Sequence, residues 1–221
     1  MAHPETRQKH RHDAEQHRLG KVSVMISDLF GTPLLSGMSY SENLISADVE
    51  SALIEGINSL PLAPFRFQGW LGKRLTASFG WRYDFDDSSF HEIEPLPAWL
   101  LPTRDVAAAF AGLAPDALVH ALLTRYDAGA GIGWHRDRPV FEHVIGVSLG
   151  NPATMRFRRR RPNGFDRFRA PLAPRSAYQL QGEARHGWEH SIAPMDVPRW
   201  SITFRSLSAA GHAIRVKSID T

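Results

Sequence analysis

His135 and Asp137 stand two residues apart, just after Gly129, Gly131 and Gly133. In a strand, residues two apart point to the same side, so this imidazole and this carboxylate would converge on one point. Such a pair is two-thirds of a two-histidine, one-carboxylate facial set, which holds a non-haem iron(II) and leaves positions open on it. His-x-Asp also occurs in ordinary surface strands and turns, so the third ligand decides. It must come from a distant strand, and His186 and His190 both qualify. His190 lies between Trp188 and Ile192, as expected near a buried site, whereas His186 follows Arg185 and reads as more solvated.

A second constellation lies further on, where Arg199 and Arg205 flank Trp200-Ser201-Ile202-Thr203-Phe204. Alternation puts Trp200, Ile202 and Phe204 on one face and Arg199, Ser201, Thr203 and Arg205 on the other. Two arginines on the inner side of a core strand are costly unless anions pair with them. Six strand residues span roughly 20 Å. Two inward arms leave a gap suited to a small dicarboxylate, which the guanidinium fork binds in bidentate fashion. The same spacing on an edge strand would leave both arginines solvated.

These side chains need elements to carry them. Residues 1–20 are rich in His, Arg, Lys and Gln without an apolar period and read as a flexible polar tail. Lys21–Phe30 reads as extended. Ser46 can cap a helix whose face carries Val49, Leu53, Ile54, Ile57 and Leu60, ended by Pro61 and Pro64. Thr76–Phe85, aromatic-rich around Gly80, suggests a hairpin or lid. A second helix is expected from Thr103 to about Leu113, closed by Pro115. Short strands follow at Leu118–Tyr126, Val144–Leu149, Met155–Arg160, Ala177–Leu180 and Trp200–Leu207. Helices first and strands afterwards predict an α+β chain, mainly β, whose second half is a sandwich or jelly roll.

Taken in order, His135-x-Asp137, His190 and Arg199-x5-Arg205 resemble the AlkB branch of the iron(II)/2-oxoglutarate oxygenases. Tyr126 stands where that family has its cosubstrate tyrosine, and Phe79-Gly80-Trp81-Arg82-Tyr83 is similar to its nucleotide-recognition lid. The resemblance runs from about Gln68 to Leu207. It implies a double-stranded β-helix with N-terminal helices and a β-hairpin lid at about 66–90, a core at about 116–210, and one oxygenase domain over 21–221. It further implies iron(II) on His135, Asp137 and His190. Arg199, Tyr126 and Ser201 would hold the distal carboxylate of the cosubstrate 2-oxoglutarate, and Arg205 the carboxylate beside its keto group. Thr124 stands where the family has an asparagine and would offer a hydroxyl in its place. Lid aromatics such as Trp81 and Tyr83, with the metal-bound His135, would flank a flipped base, and Phe79 belongs to the same stretch. Core packing accounts equally well for any one of these aromatics, and Trp70 would touch a strand or simply pack. The DNA-repair members carry an acid soon after His-x-Asp, but here Arg138-Pro139-Val140-Phe141 precedes Glu142.

Arg156-Phe157-Arg158-Arg159-Arg160-Arg161, continued by Arg167 and Arg169, interleaves cations with aromatics and suits a phosphate backbone, with Arg158 and Arg160 as candidate contacts. It equally suits a solvated hairpin end. The 221 residues hold no cysteine, which excludes disulfides, iron–sulfur clusters and cysteine nucleophiles. A net charge of +3 and a pI near 9.5 permit an anionic partner without requiring one. No apolar run is long enough for a membrane span. The expectation is a cytoplasmic monomer that demethylates alkylated bases in DNA or RNA, as in alkylation-damage repair. The alternatives are an oxygenase of the same fold acting on protein or a small molecule, a non-catalytic nucleic-acid-binding module, and a zinc hydrolase using the same ligands.

Overall fold

The computed structural model describes residues 35–67, 70–83 and 90–219. The polar tail, the Lys21–Phe30 segment and residues 84–89 of the expected lid lie outside the described residues. The first half contains β1 (Met38–Ser41), helix α1 (Ala47–Asn58), β2 (Ala63–Phe67), β3 (Trp70–Tyr83), β4 (Phe90–Glu92), helix α2 (Leu101–Ala111) and β5 (Leu118–Tyr126). The second contains β6 (Ile132–His135), β7 (Phe141–Gly150), β8 (Ala153–Arg161), β9 (Gly164–Leu172) and β10 (Ala177–Leu180). It closes with the short helix α3 (Gly182–His186), β11 (Glu189–Ile192), β12 (Arg199–Leu207) and helix α4 (Ala209–Ile219). The strands form two antiparallel sheets: a major one ordered β1-β10-β7-β12-β5-β3-β2, with β4 beside β3, and a minor one ordered β6-β11-β8-β9. This is the α+β, mainly β, jelly-roll architecture expected from the sequence.

Alternation explains what each face carries. Ala121 and Leu123 of β5, Ile145, Val147 and Leu149 of β7, and Ile202 and Phe204 of β12 pack with Leu53 and Ile57 of α1 and Ala107 and Ala108 of α2. The helices therefore cover one face of the major sheet. The intervening residues of the same strands turn to the other face, towards the minor sheet. A second apolar cluster, including Val144, Phe157, Leu180 and Trp188, fills one end of the space between the sheets.

Helix α1 begins as the sequence predicts: the Ser46 hydroxyl accepts from the Val49 backbone N–H at 3.3 Å. Leu53 and Ile57 are buried, but Val49 is 40% exposed and lies off the packed face. Its β-branched side chain sits in the first turn. The Trp200 indole donates to Asn58 at 3.0 Å and fixes the end of α1 on β12. Helix α2 starts two residues earlier than expected and stops at Gly112, whose φ of 67° closes it before Pro115 is reached.

The aromatic stretch around Gly80 is not itself a hairpin. It belongs to the 14-residue strand β3, which pairs with β2, β5 and β4 in turn. Gly80 bends this strand at φ 81°, and a Cβ there would run into the Val119 carbonyl. Strand β9 has no counterpart among the expected strands. Gly164, at φ 126°, reverses the chain so that the arginine-rich run lies along a long β8–β9 hairpin.

Candidate metal and cosubstrate site

The three candidate ligands come together. His135 ends β6 and His190 sits on β11, directly opposite it in the minor sheet. Their rings lie 4.3 Å apart, centroid to centroid. Asp137 completes the group, and a ligand atom from each residue lies within 4.8 Å of those of the other two. The local geometry differs from the expected strand alternation: β6 stops at His135, and Asp137 lies in the turn beyond it. Hydrogen bonding, rather than the pleat, aims the carboxylate. Arg205 donates to Asp137 Oδ1 from Nε at 3.1 Å and from Nη2 at 2.8 Å, while Oδ2 stands 3.5 Å from His190 Nε2. Arg185, buried in α3, donates to the carbonyls of Arg138 and Phe141 at 2.5 and 2.9 Å and pins the turn from behind.

The ionisation states suit a cation. Burial alone would raise the Asp137 carboxyl, but the neighbouring Arg205, then His190, His135 and Arg185, hold it well below the usual carboxylate range. His190 is pushed down to about 3, first by burial and then by His135 beside it. The cluster thus offers one carboxylate and a neutral imidazole at neutral pH, the forms in which both ligate. His135 places Nδ1 2.9 Å from the Gly133 carbonyl, so the tautomer with hydrogen on Nδ1 directs Nε2 toward the cluster. His186, the other candidate, is exposed and paired with Glu142 at 3.1 Å.

Next to the triad, the inner face of the major sheet is polar. Ser148, Ser201, Thr124 and Thr76 stand side by side across β7, β12, β5 and β3. Arg199 lies beside Tyr126, its guanidinium 5.3 Å from that ring's centroid. Only 1% of Arg199 is exposed; Nη2 donates to Ser148 Oγ at 3.0 Å, and Nε and Nη1 are buried without a hydrogen-bond partner. A buried guanidinium with two orphaned nitrogens calls for an anion. Two imidazoles and a carboxylate fit iron(II), and this orphaned fork fits a 2-oxoglutarate carboxylate.

Sequence reasoning placed other candidates less well. Phe79 is buried in the core shared with the helices, on the face away from the triad, because alternation in β3 turns it there. Trp81 is 5% exposed and packs with Val140, Phe141 and Leu207, with no open ring face for a base. For both, the structure shows the packing alternative. The side chains of Trp70 and Tyr83 lie outside the described residues. Arg158 and Arg160 project from the minor sheet on the side away from His135 and His190, since Phe157, next to Arg158 and of the opposite parity, is buried and faces His190.

Four residues near the site escaped the sequence reading. His120, buried on β5, lies 3.3 Å from Arg205 Nη1 and is held neutral by burial and by that arginine. Tyr178 of β10 covers Gly146, and loss of solvent around its phenol, then Asp137 and Tyr126, pushes its ionisation upward. Arg74 of β3 shares the face of Thr76 and lies 3.9 Å from the Phe65 ring centroid. Burial weakens its proton affinity, and it feels the fields of Tyr126, Arg205 and Asp137. Ser148 anchors Arg199. Alternation within β3, β5 and β7 carries the signal for Arg74, His120 and Ser148, since each shares a face with other inward-turned residues; Tyr178 needs the pairing of β10 with β7.

Comparison with known proteins agrees with this geometry. Residues 66–205 match the family model described as the 2OG-Fe(II) oxygenase superfamily. The chain is 28% identical over 167 residues to the mouse (Mus musculus) protein named tRNA (carboxymethyluridine(34)-5-O)-methyltransferase ALKBH8, covering 72% of this chain and 24% of that one. It is 31% identical over 106 residues to uncharacterized protein L905 of Acanthamoeba polyphaga mimivirus, covering 42% of this chain and 49% of the other. The chain thus spans about a quarter and about half of those two relatives. Among solved structures, OsALKBH1 superposes with a TM-score of 0.59 at 15% identity, over 78% of this chain and 98% of that one. A Pseudomonas putida prolyl-4-hydroxylase superposes at 0.55 and 14% identity, over 78% and 93%. The chain belongs to the 2OG-Fe(II) oxygenase superfamily, whose iron(II) and 2-oxoglutarate the His-Asp-His triad and the orphaned fork of Arg199 fit.

Proposed function

We propose that this oxygenase removes alkyl groups oxidatively from N-alkylated bases in nucleic acid. The observation that carries the site assignment is the triad, with its Asp137 and His190 side chains enclosed, standing beside the orphaned fork of Arg199. In this reading His135, Asp137 and His190 hold iron(II). Arg199, with Tyr126, Ser201 and Thr124 around it, binds the distal carboxylate of 2-oxoglutarate. Arg205 orients Asp137 through two hydrogen bonds and keeps its remaining donors for the carboxylate beside the keto group. With dioxygen, the bound iron(II) and 2-oxoglutarate supply hydroxylation of a substrate C–H bond, releasing succinate and carbon dioxide; a hydroxylated N-methyl group departs as formaldehyde.

The protein's own part is geometry and shelter. Arg205 holds the carboxylate ligand, Arg185 holds the turn that carries it, and Phe141 lies over both His120 and Arg205, limiting water there. Arg74 brings a cation to the inner face, where an anionic substrate strand would meet it. Tyr83 remains the candidate for flanking a base, and Trp70 for touching the strand. The AlkB-like relatives, one of them named for tRNA, support a nucleic-acid substrate. The prolyl-4-hydroxylase likeness supports a second reading, hydroxylation of a protein side chain.

The test is formaldehyde release from single-stranded DNA and RNA carrying 1-methyladenine or 3-methylcytosine, with iron(II), ascorbate and 2-oxoglutarate, and succinate followed in parallel. Formaldehyde that disappears in His135→Ala is the expected result. Succinate without formaldehyde from any methylated strand would move the substrate to protein or a small molecule.

A further inference from the structure

The strands that point His135 and His190 inward carry a different chemistry on their other side. Along β8, Met155 and Phe157 are buried, while Arg156, Arg158 and Arg160 turn outward. Across the hairpin, Arg156 faces Arg169, Arg158 faces Arg167 and Arg160 faces Phe165. Like charges directly opposite one another weaken a sheet, and here two such pairs follow in succession. The neighbouring acids do little to neutralise them. Glu189 accepts from Arg158 at 2.6 Å, and Asp166 is taken by Arg159 and Arg161. Among the described residues, Arg160, Arg167 and Arg169 form no ion pair, and all three are exposed.

Aromatic rings are set among these cations. The guanidinium carbons of Arg156 and Arg158 lie 5.3 and 4.5 Å from the Trp134 ring centroid. Phe165, 36% exposed, has Arg158, Arg160 and Arg167 within 4.9, 5.9 and 5.7 Å. At one end of the face a cleft of about 390 Å³ opens between Arg156 and Arg169, lined also by Thr154, Ile192, Pro194 and Met195. Outward residues along one strand recur every 6–7 Å or so. The result is a cationic track with stacking platforms and one recess, the combination that follows a phosphodiester backbone and receives bases.

We propose that this outer face of the minor sheet is a second binding surface, a docking track for single-stranded nucleic acid on the reverse of the metal-bearing strands. It rests on the nucleic-acid reading above and extends it: the track holds the flanking strand and contributes to substrate affinity, while the triad does the chemistry. A protein partner with an acidic surface would satisfy the charge but has no use for the exposed Phe165 ring set among arginines.

The test substitutes only exposed arginines without ion-pair partners, as Arg160→Gln/Arg167→Gln/Arg169→Gln, and separately Phe165→Ala. Binding of fluorescent oligouridylate and oligothymidylate of about 12 nucleotides is followed by anisotropy across a salt series on the full chain. The triple variant is expected to bind at least tenfold more weakly at low salt. Its log–log salt slope should fall by about 0.7 for each phosphate that is no longer neutralised. Phe165→Ala is expected to weaken binding without changing that slope. Succinate formation in the absence of substrate should match the parent in both, which also reports that the variants are folded. A triple variant with the parent's affinity and slope would overturn the proposal, as would a parent that binds neither oligonucleotide or binds polyglutamate equally well. A parent that binds through this face yet releases no formaldehyde would leave the track standing and remove the demethylation reading instead.

Discussion

Nε and Nη2 of Arg205 both donate to one oxygen of Asp137, and that arrangement lets a carboxylate in a turn behave as a fixed ligand. Arg199 is the opposite case, because it is almost fully buried and two of its nitrogens lack a partner. The first arginine commits part of its fork to a metal ligand, and the second leaves two of its three nitrogens for a cosubstrate. Lysine at position 199 would keep the charge but lose the fork that reaches Ser148 and a carboxylate together. Arg199→Lys should therefore weaken cosubstrate binding by about 2 kcal/mol, roughly 30-fold in KM for 2-oxoglutarate. Succinate formation titrated against 2-oxoglutarate measures this, and an unchanged KM would show that the orphaned nitrogens face something else.

At the scale of elements, strands β5 and β10 were legible to the residue, because each is a short alternating run bounded by turn residues. The inward set Arg199, Ser201, Thr203 and Arg205 followed from alternation in β12, and Ser46 marked the start of α1. Three things were hidden, each because it depends on residues far away in sequence. The end of β6 before Asp137 is set by Arg205 and Arg185. For Phe79 and Trp81, the choice between core packing and base contact is set by the helices and by Phe141. The position of Tyr178 over Gly146 is set by the register of β10 on β7. That last arrangement can be tested. A Cβ at position 146 would lie well inside van der Waals distance of the Tyr178 ring. Gly146→Ala should destabilise by about 1–3 kcal/mol, seen as a lower thermal midpoint, and the loss should shrink in a Tyr178→Ala background. Full additivity of the two changes would separate the residues.

The whole molecule divides its labour between faces. Helices cover one face of the major sheet, the polar interior between the sheets carries the triad and the arginine fork, and the reverse of the minor sheet carries the arginine track. Composition alone hinted at none of this, since a net charge of +3 is modest; it is the segregation of arginine onto one hairpin that makes a surface. The central claim is that His135, Asp137 and His190 form the metal centre of a working 2-oxoglutarate oxygenase. Its most direct test is succinate produced per chain from 2-oxoglutarate with iron(II), ascorbate and oxygen, compared between the parent and His135→Ala, Asp137→Ala and His190→Ala, with bound iron measured on the same samples. The account predicts iron-dependent succinate from the parent and a loss of both iron and succinate in all three variants; substantial turnover in any one of them would contradict it.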